Sequence, residues 1–139
     1  MLFNIFKRKK SENPAAAPDT THTTTRARGA AAENAALEYL LERGLQLVAR
    51  NYKTPGRGGG EIDLIMRAAD GALIFVEVRA RRSTVAGGAA ASVTAAKQRR
   101  IILAAQHYLR RLGNPPPCRF DVVAIEGGNI EWIPGAFSA

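Results

Sequence analysis

Glu61-Ile62-Asp63-Leu64-Ile65-Met66 and Ala72-Leu73-Ile74-Phe75-Val76-Glu77-Val78-Arg79 are two apolar runs separated by a short segment that ends in Ala69-Asp70-Gly71. Asp-Gly between runs of this kind is a strong hairpin signal, so the pair reads as adjacent antiparallel strands. Side chains alternate along a strand, which puts Glu77 and Arg79 on one face and Val76 and Val78 on the other. A charge inside an apolar strand is costly to desolvate unless it is paired or bound to a metal, and Asp63 raises the same question as Glu77. A three-residue loop at Ala69, Asp70 and Gly71 sets Asp63 opposite Glu77 and Glu61 opposite Arg79, whereas a two-residue loop would break that register. Facing carboxylates repel unless a cation or a shared proton lies between them, and hard cations such as Mg²⁺ or Mn²⁺ prefer oxygen ligands of this type. The competing explanation is a structural ion-pair network with nearby arginines.

Upstream of the hairpin, Ala36, Leu37, Leu40 and Leu41 recur at helical spacing from Gly29 until Gly44 supplies a stop. Leu45 to Asn51 reads as a strand. Thr54 to Gly60, which includes Arg57, is too glycine-rich for either element and reads as a mobile basic loop. Downstream, Ser83 to Ala91 is a small-residue loop, and Ser92 can cap a helix that runs to Leu112 and stops at Gly113 before three prolines. Phe120 to Ile125 and Ile130 to Ile133 form a closing pair of strands around Gly127-Gly128-Asn129. The predicted order is α-β-β-β-α-β-β, an α/β domain over residues 29–139.

Residues 1–28 lack sustained periodicity and read as a flexible basic arm. The arm carries Lys7, Arg8, Lys9, Lys10, Arg26 and Arg28 against Glu12 and Asp19, about half of the net charge of +8 on 139 residues. A charged arm of this kind either docks on phosphates or only solubilises the chain. The length suits one domain, and 46% hydrophobic residues suffice for a core. The single cysteine, Cys118, excludes an internal disulfide and suits a reducing compartment. No apolar run is long enough to span a bilayer, so the expected location is the cytoplasm. The positive balance favours polyanions such as nucleic acid.

Four motifs then stand in order: Gly-Gly-Glu-Ile-Asp-Leu-Ile (59–65), Ile-Phe-Val-Glu-Val-Arg (74–79), Lys-Gln-Arg-Arg-Ile (97–101) and Arg-Phe-Asp-Val-Val (119–123). Together they resemble the YraN-like family, small bacterial proteins predicted to be endonucleases and similar to archaeal Holliday junction resolvases. That family is assigned to the PD-(D/E)xK nuclease superfamily, whose restriction-endonuclease-like αβββαβ core has a mixed central sheet flanked by two helices. The predicted element order matches this core with one extra C-terminal strand. The resemblance implies that Asp63 and Glu77 are metal ligands and that Glu33, on the first helix, adds a third acid. A first-turn acid favoured by the helix macrodipole is the other reading of Glu33. The implied cofactor is Mg²⁺ or Mn²⁺, the implied substrate DNA, in branched form by analogy with resolvases. Cleavage of two strands would call for a homodimer.

Position 79 departs from the family pattern, because the lysine of Glu-x-Lys is here Arg79. A lysine can give up its proton in a buried site, whereas arginine stays charged and only stabilises anions or donates hydrogen bonds. Lys97 is the substitute, since Lys97, Ile101, Ala104 and Tyr108 share one helical face; the alternative is a lysine that snorkels at the end of a buried stripe. The catalytic candidates are thus Asp63, Glu77, Arg79 and Lys97. Arg57, Arg81, Arg82, Arg99 and Arg100 are the nucleic-acid-binding candidates, with Arg110 and Arg111 adding to the basic surface. Without a base-reading motif, backbone recognition is expected. Tyr52 and Tyr108 either stack on bases or belong to the core, and His22 and His107 lack metal-ligand spacing. Three readings remain open: a metal-dependent endonuclease, a noncatalytic nucleic-acid-binding module on a nuclease-like fold, and a scaffold whose basic arm binds a protein or membrane.

Overall fold

The computed structural model describes residues 25–80 and 92–139. Helix α1 (Thr25–Glu42) is followed by strands β1 (Gln46–Lys53), β2 (Glu61–Arg67) and β3 (Leu73–Ala80), helix α2 (Ala95–Leu109), and strands β4 (Cys118–Glu126) and β5 (Asn129–Phe137). The order is the one predicted, and it is the restriction-endonuclease-like αβββαβ core with one added strand. The five strands form one mixed sheet in the order β1-β2-β3-β4-β5. Only β3 and β4 run parallel, and α2 lies in the crossover that a parallel pair requires.

Several boundaries differ from the sequence reading. α1 already covers Thr25 to Arg28, upstream of the expected start near Gly29, which puts Arg26 and Arg28 on the helix. Alanines surround Gly29 on that helix, and their helix propensity outweighs the cost of about 1 kcal/mol for one interior glycine. The stop at Gly44 is as expected: its φ is +94°, and Leu45 N donates to Leu40 O while Gly44 N donates to Leu41 O. This is a Schellman cap, with Leu40 and Leu45 making its hydrophobic contact. The N-cap of α2 is Thr94, not Ser92; its hydroxyl accepts from Lys97 N at 3.2 Å. At the other end α2 gives way after Leu109 to a tighter turn, in which Arg111 and Leu112 donate to Tyr108 and Leu109. β5 extends beyond Ile133 through Pro134 and Gly135 because it is an edge strand with a register shift opposite Phe120 and Val122, where a missing N–H is tolerated.

The two faces of the sheet build two cores. Under α2, Leu73, Phe75, Phe120 and Val122 pack with Ile101, Ala104 and Ala105 of the helix. Under α1, Leu64, Met66, Ile74, Val76 and Val123 pack with Ala36 and Leu40. Hairpin register is the predicted one: Leu64 faces Val76 and Arg67 faces Leu73, around a loop closed by the Ala68–Ala72 hydrogen bond.

Alternation then breaks beside the first acid. Ile62 joins the α2 core and Leu64 the α1 core, although residues two apart on a strand ordinarily share a face. The neighbouring strand turns over at the same level. Arg50 reaches Asn34 of α1 at 2.8 Å, Tyr52 lies in the α2 core, and Asn51 between them has φ +50°, a left-handed conformation uncommon outside glycine. This paired kink ends the β2–β3 ladder at Leu64–Val76. Glu61 therefore does not face Arg79; it pairs with Lys53 of β1.

Candidate functional site

Glu77 follows Leu73 and Phe75 at two-residue steps on β3, so its side chain points toward α2 and is only 3% exposed. One oxygen, Oε2, meets Arg79 Nη1 at 3.4 Å and Lys97 Nζ at 3.6 Å. The other, Oε1, is buried and receives no hydrogen bond. Asp63 is its acidic neighbour, and two carboxyls hydrogen-bond only through a proton held by one of them. Burial, followed by the charge of Asp63 and by that contact, pushes the Glu77 carboxyl up to about 8 from an ordinary 4.5, against the opposing pull of Lys97 and Arg79.

The kink explains how Asp63 arrives there. Beyond Leu64 the β2 backbone leaves the ladder, and the Val78 N–H that it would have served donates to Asp63 Oδ2 instead, at 2.8 Å. A side chain thus replaces a strand as the partner of β3, and it fixes one carboxylate beside the other.

Lys97 stands in the first turn of α2, where the Thr94 cap holds its backbone, and its ammonium reaches Glu77. The stripe is as predicted from Lys97 to Ile101, Ala104 and Tyr108, with Ile101 and Ala104 fully buried. Arg79 is held at both ends of its fork: Nη1 lies on Glu77, and Nη2 donates to the Ser92 carbonyl at 3.1 Å. It straps the acid to the segment leading into α2. Glu33, on α1, lies 3.9 Å from Arg50. Its pKa is raised by burial and then by the charge of Asp63, so it borders the acid pair from the α1 side.

A hard cation is a fitting partner for this donor set, since Oε1 of Glu77 is buried without an N–H or hydroxyl donor and the adjacent Asp63 carboxyl offers a second set of oxygens in place of a shared proton. Among the described residues, no three His, Cys, Asp or Glu side chains are gathered into a metal-holding group. Asp63 and Glu77 would together supply the two carboxylates that Mg²⁺ commonly takes from a protein.

The basic residues divide. Arg57, Arg99 and Arg100 are exposed, while Arg81 and Arg82 lie outside the described residues. The loop before β2 is fastened at its base rather than hanging free. Thr54 and Gly60 exchange backbone and hydroxyl bonds, and Arg100 donates to Gly59 O at 3.4 Å. A Cβ on Gly60 would lie 1.9 Å from the Arg100 carbonyl oxygen, so only glycine lets β2 start against the α2 backbone. Tyr52 and Tyr108 belong to the α2-side core, and His107 is the hydrogen-bond partner of the Tyr52 hydroxyl.

Sequence reading gave no role to Asp121, a wholly buried carboxylate on β4. Its oxygens accept from Arg119 Nε and Nη2, Trp132 Nε1 and Gly135 N at 2.8 to 3.2 Å. This acid is fully satisfied, which separates it from Glu77 and makes it the clamp of the β4–β5 irregularity. The available signal was an aspartate inside Phe120-Asp121-Val122-Val123.

Fold and site together define a restriction-endonuclease-like domain in which a buried glutamate, Glu77, is flanked by a lysine and an arginine beside the half-buried Asp63. The chain belongs to the family described as Uncharacterised protein family UPF0102, whose profile matches residues 32–125. It is 58% identical to a UPF0102 protein of Paracidovorax citrulli (strain AAC00-1) over 94% of this chain and 96% of that one. It is 62% identical to a UPF0102 protein of Acidovorax sp. (strain JS42) over 84% of this chain and 88% of the relative. A UPF0102 protein of Albidiferax ferrireducens is also 62% identical, over 84% and 91% of the respective chains. No helix among the described residues is long and apolar enough to cross a membrane.

Proposed function

We propose that this protein is a metal-dependent endonuclease that hydrolyses DNA phosphodiesters. The observation that carries the reading is the buried Glu77, with one oxygen lacking any donor, placed beside Asp63 and within ion-pair distance of Lys97. A structural ion-pair network would be expected to satisfy both oxygens, as Asp121 is satisfied. Asp63 and Glu77 would hold Mg²⁺ or Mn²⁺, which when bound polarises the scissile phosphate and acidifies an attacking water.

The chain's own residues supply the rest. Asp63 is fixed by the Val78 amide, so its carboxylate is pre-positioned. Arg79 holds Glu77 through one arm of its fork and Ser92 O through the other, a bridging task that suits arginine. Lys97 then stands where the motif lysine of the superfamily pattern is missing from β3, and its ammonium offers donors to a water or a nonbridging phosphate oxygen. That division of labour favours the catalytic reading over a noncatalytic nucleic-acid-binding module. Branched DNA as the preferred form rests on the resemblance to junction resolvases, and a homodimer would supply the second active site.

Turnover of fluorescent branched and linear DNA with Mg²⁺ or Mn²⁺ tests the proposal. Cleavage that EDTA and Glu77→Ala both abolish supports it. DNA binding without metal-dependent turnover would select the noncatalytic module.

A further inference from the structure

We propose that a phosphodiester strand runs along a groove formed by two depressions that meet at Lys53, with Arg26, Lys53 and Arg100 as its phosphate contacts. The inference rests on the nucleic-acid reading above and adds the path of the substrate. One depression, of about 370 Å³, lies between the start of α1 and the end of β1 and is lined by Arg26, Glu33, Asn51 and Lys53. The second, of about 270 Å³, lies between the glycine loop and α2 and is lined by Lys53, Glu61, Arg100 and loop glycines. Lys53 belongs to both walls, which makes the two one path.

That path borders the acid pair. Asn51 in the first depression lies between the Arg50–Leu64 and Tyr52–Ile62 pairs, level with Asp63 on β2, and Glu61 in the second stands two residues before Asp63. Three cations are thereby distributed along the groove, and all three are exposed. Among the described residues, Lys53 meets Glu61 at 3.9 Å with its side chain 69% exposed. Such a pair is weak in water, so the ammonium can exchange a carboxylate for a phosphate at little cost. Arg100 is carried to the rim by the close approach of Gly60 to the helix backbone. Glycines there leave the wall without side chains, which lets a bulky sugar-phosphate chain approach the protein backbone.

The occupant that fits is a nucleic-acid strand rather than an acidic peptide. Spaced cations interrupted by Glu33 and Glu61 suit charges carried at intervals on a backbone, and they repel the dense carboxylates of an acidic chain. Each phosphate neutralised adds close to one to the slope of log K against log[salt].

The test is anisotropy of a fluorescent DNA duplex with the full-length protein in EDTA, over a salt series. Arg26→Ala and Lys53→Ala should each lower the slope by about one, and the double variant by about two. Arg43→Gln, at the opposite end of α1, should leave it unchanged. A Lys53→Ala slope equal to wild type, or equal losses in Arg43→Gln, would overturn the groove while the nucleic-acid reading stands. Competition by polyglutamate as effective as that by unlabelled duplex would also overturn it. Absence of wild-type binding at low salt would overturn both.

Discussion

Replacing Glu77 by glutamine should change how stability depends on pH more than it changes the fold. In the native protein the Glu77 carboxyl holds its proton up to about pH 8, whereas in the unfolded chain it loses it near 4.5. Between those values the native state binds more protons than the unfolded one, so this contribution is fully present below 4.5, declines as pH rises, and levels off above about 8. The limiting slope is about 1.36 kcal/mol per pH unit, which caps the total near 5 kcal/mol. Part of that is offset because the neighbouring charges readjust as the Glu77 proton leaves, and about 2–4 kcal/mol is the expected span. Glutamine is neutral at every pH, keeps the shape, and can donate an amide hydrogen toward Asp63 in place of that proton. Urea unfolding followed by Trp132 fluorescence at pH values from 5 to 9 should give matching stabilities near the acid end and a more stable Glu77→Gln protein at pH 8 and above. Mn²⁺ should restore wild-type stability there, by about 2.7 kcal/mol at a hundredfold excess over Kd, and do little for the variant. Parallel pH profiles for the two proteins, or a wild type that gains stability between pH 5 and 8, would refute the reasoning.

Four further outcomes follow from the contacts described. Asp121→Ala leaves Trp132 Nε1 and Gly135 N without their acceptor and should cost roughly 2–4 kcal/mol in chemical denaturation. Gly60→Ala drives a methyl group into the Arg100 carbonyl. It should lose about 1–3 kcal/mol, with a proportionally larger fall in cleavage because Lys97 moves with α2. Arg79→Lys keeps one charge but cannot hold Glu77 and Ser92 O together; about 0.5–1.5 kcal/mol of stability should be lost with cleavage retained. Deleting residues 1–24 removes Lys7 to Lys10; if the arm touches phosphate, the salt dependence of DNA binding becomes shallower while the saturated cleavage rate is kept, and identical slopes would leave it a solubilising tail.

Where local rules decide, the sequence reads through to the structure. The Asp70-Gly71 turn fixes the predicted register from Arg67–Leu73 to Leu64–Val76, and the helical period brings Lys97 to Glu77 from α2; Asp63, expected opposite Glu77, lies past the end of that ladder and reaches β3 through the Val78 amide instead. Gly44 ends α1 because only a left-handed residue completes that cap. Features set by tertiary contacts were not legible. The turnover of β1 and β2 at Asn51 and Asp63 depends on which core each neighbour joins, and no local signal marks it. Asp121 draws donors from Arg119, Trp132 and Gly135, positions that only the β4–β5 irregularity brings together. The last strand, read from Ile130 to Ile133, runs on through Pro134 to Phe137, because on an edge strand the missing N–H of a proline goes unused. The task of Arg79 became readable only once Ser92 O was found within its reach.

The central claim is that Asp63 and Glu77 together hold a divalent cation, and Mn²⁺ binding followed by electron paramagnetic resonance tests it without requiring substrate or turnover. At pH 8 the wild-type protein should sequester Mn²⁺ competitively with Mg²⁺, and Asp63→Ala and Glu77→Gln should each abolish that binding while retaining the fold. Affinity should weaken as pH falls below about 8, because the cation must displace the proton on Glu77. Undiminished Mn²⁺ binding by both variants, or none by the wild type, would contradict the account.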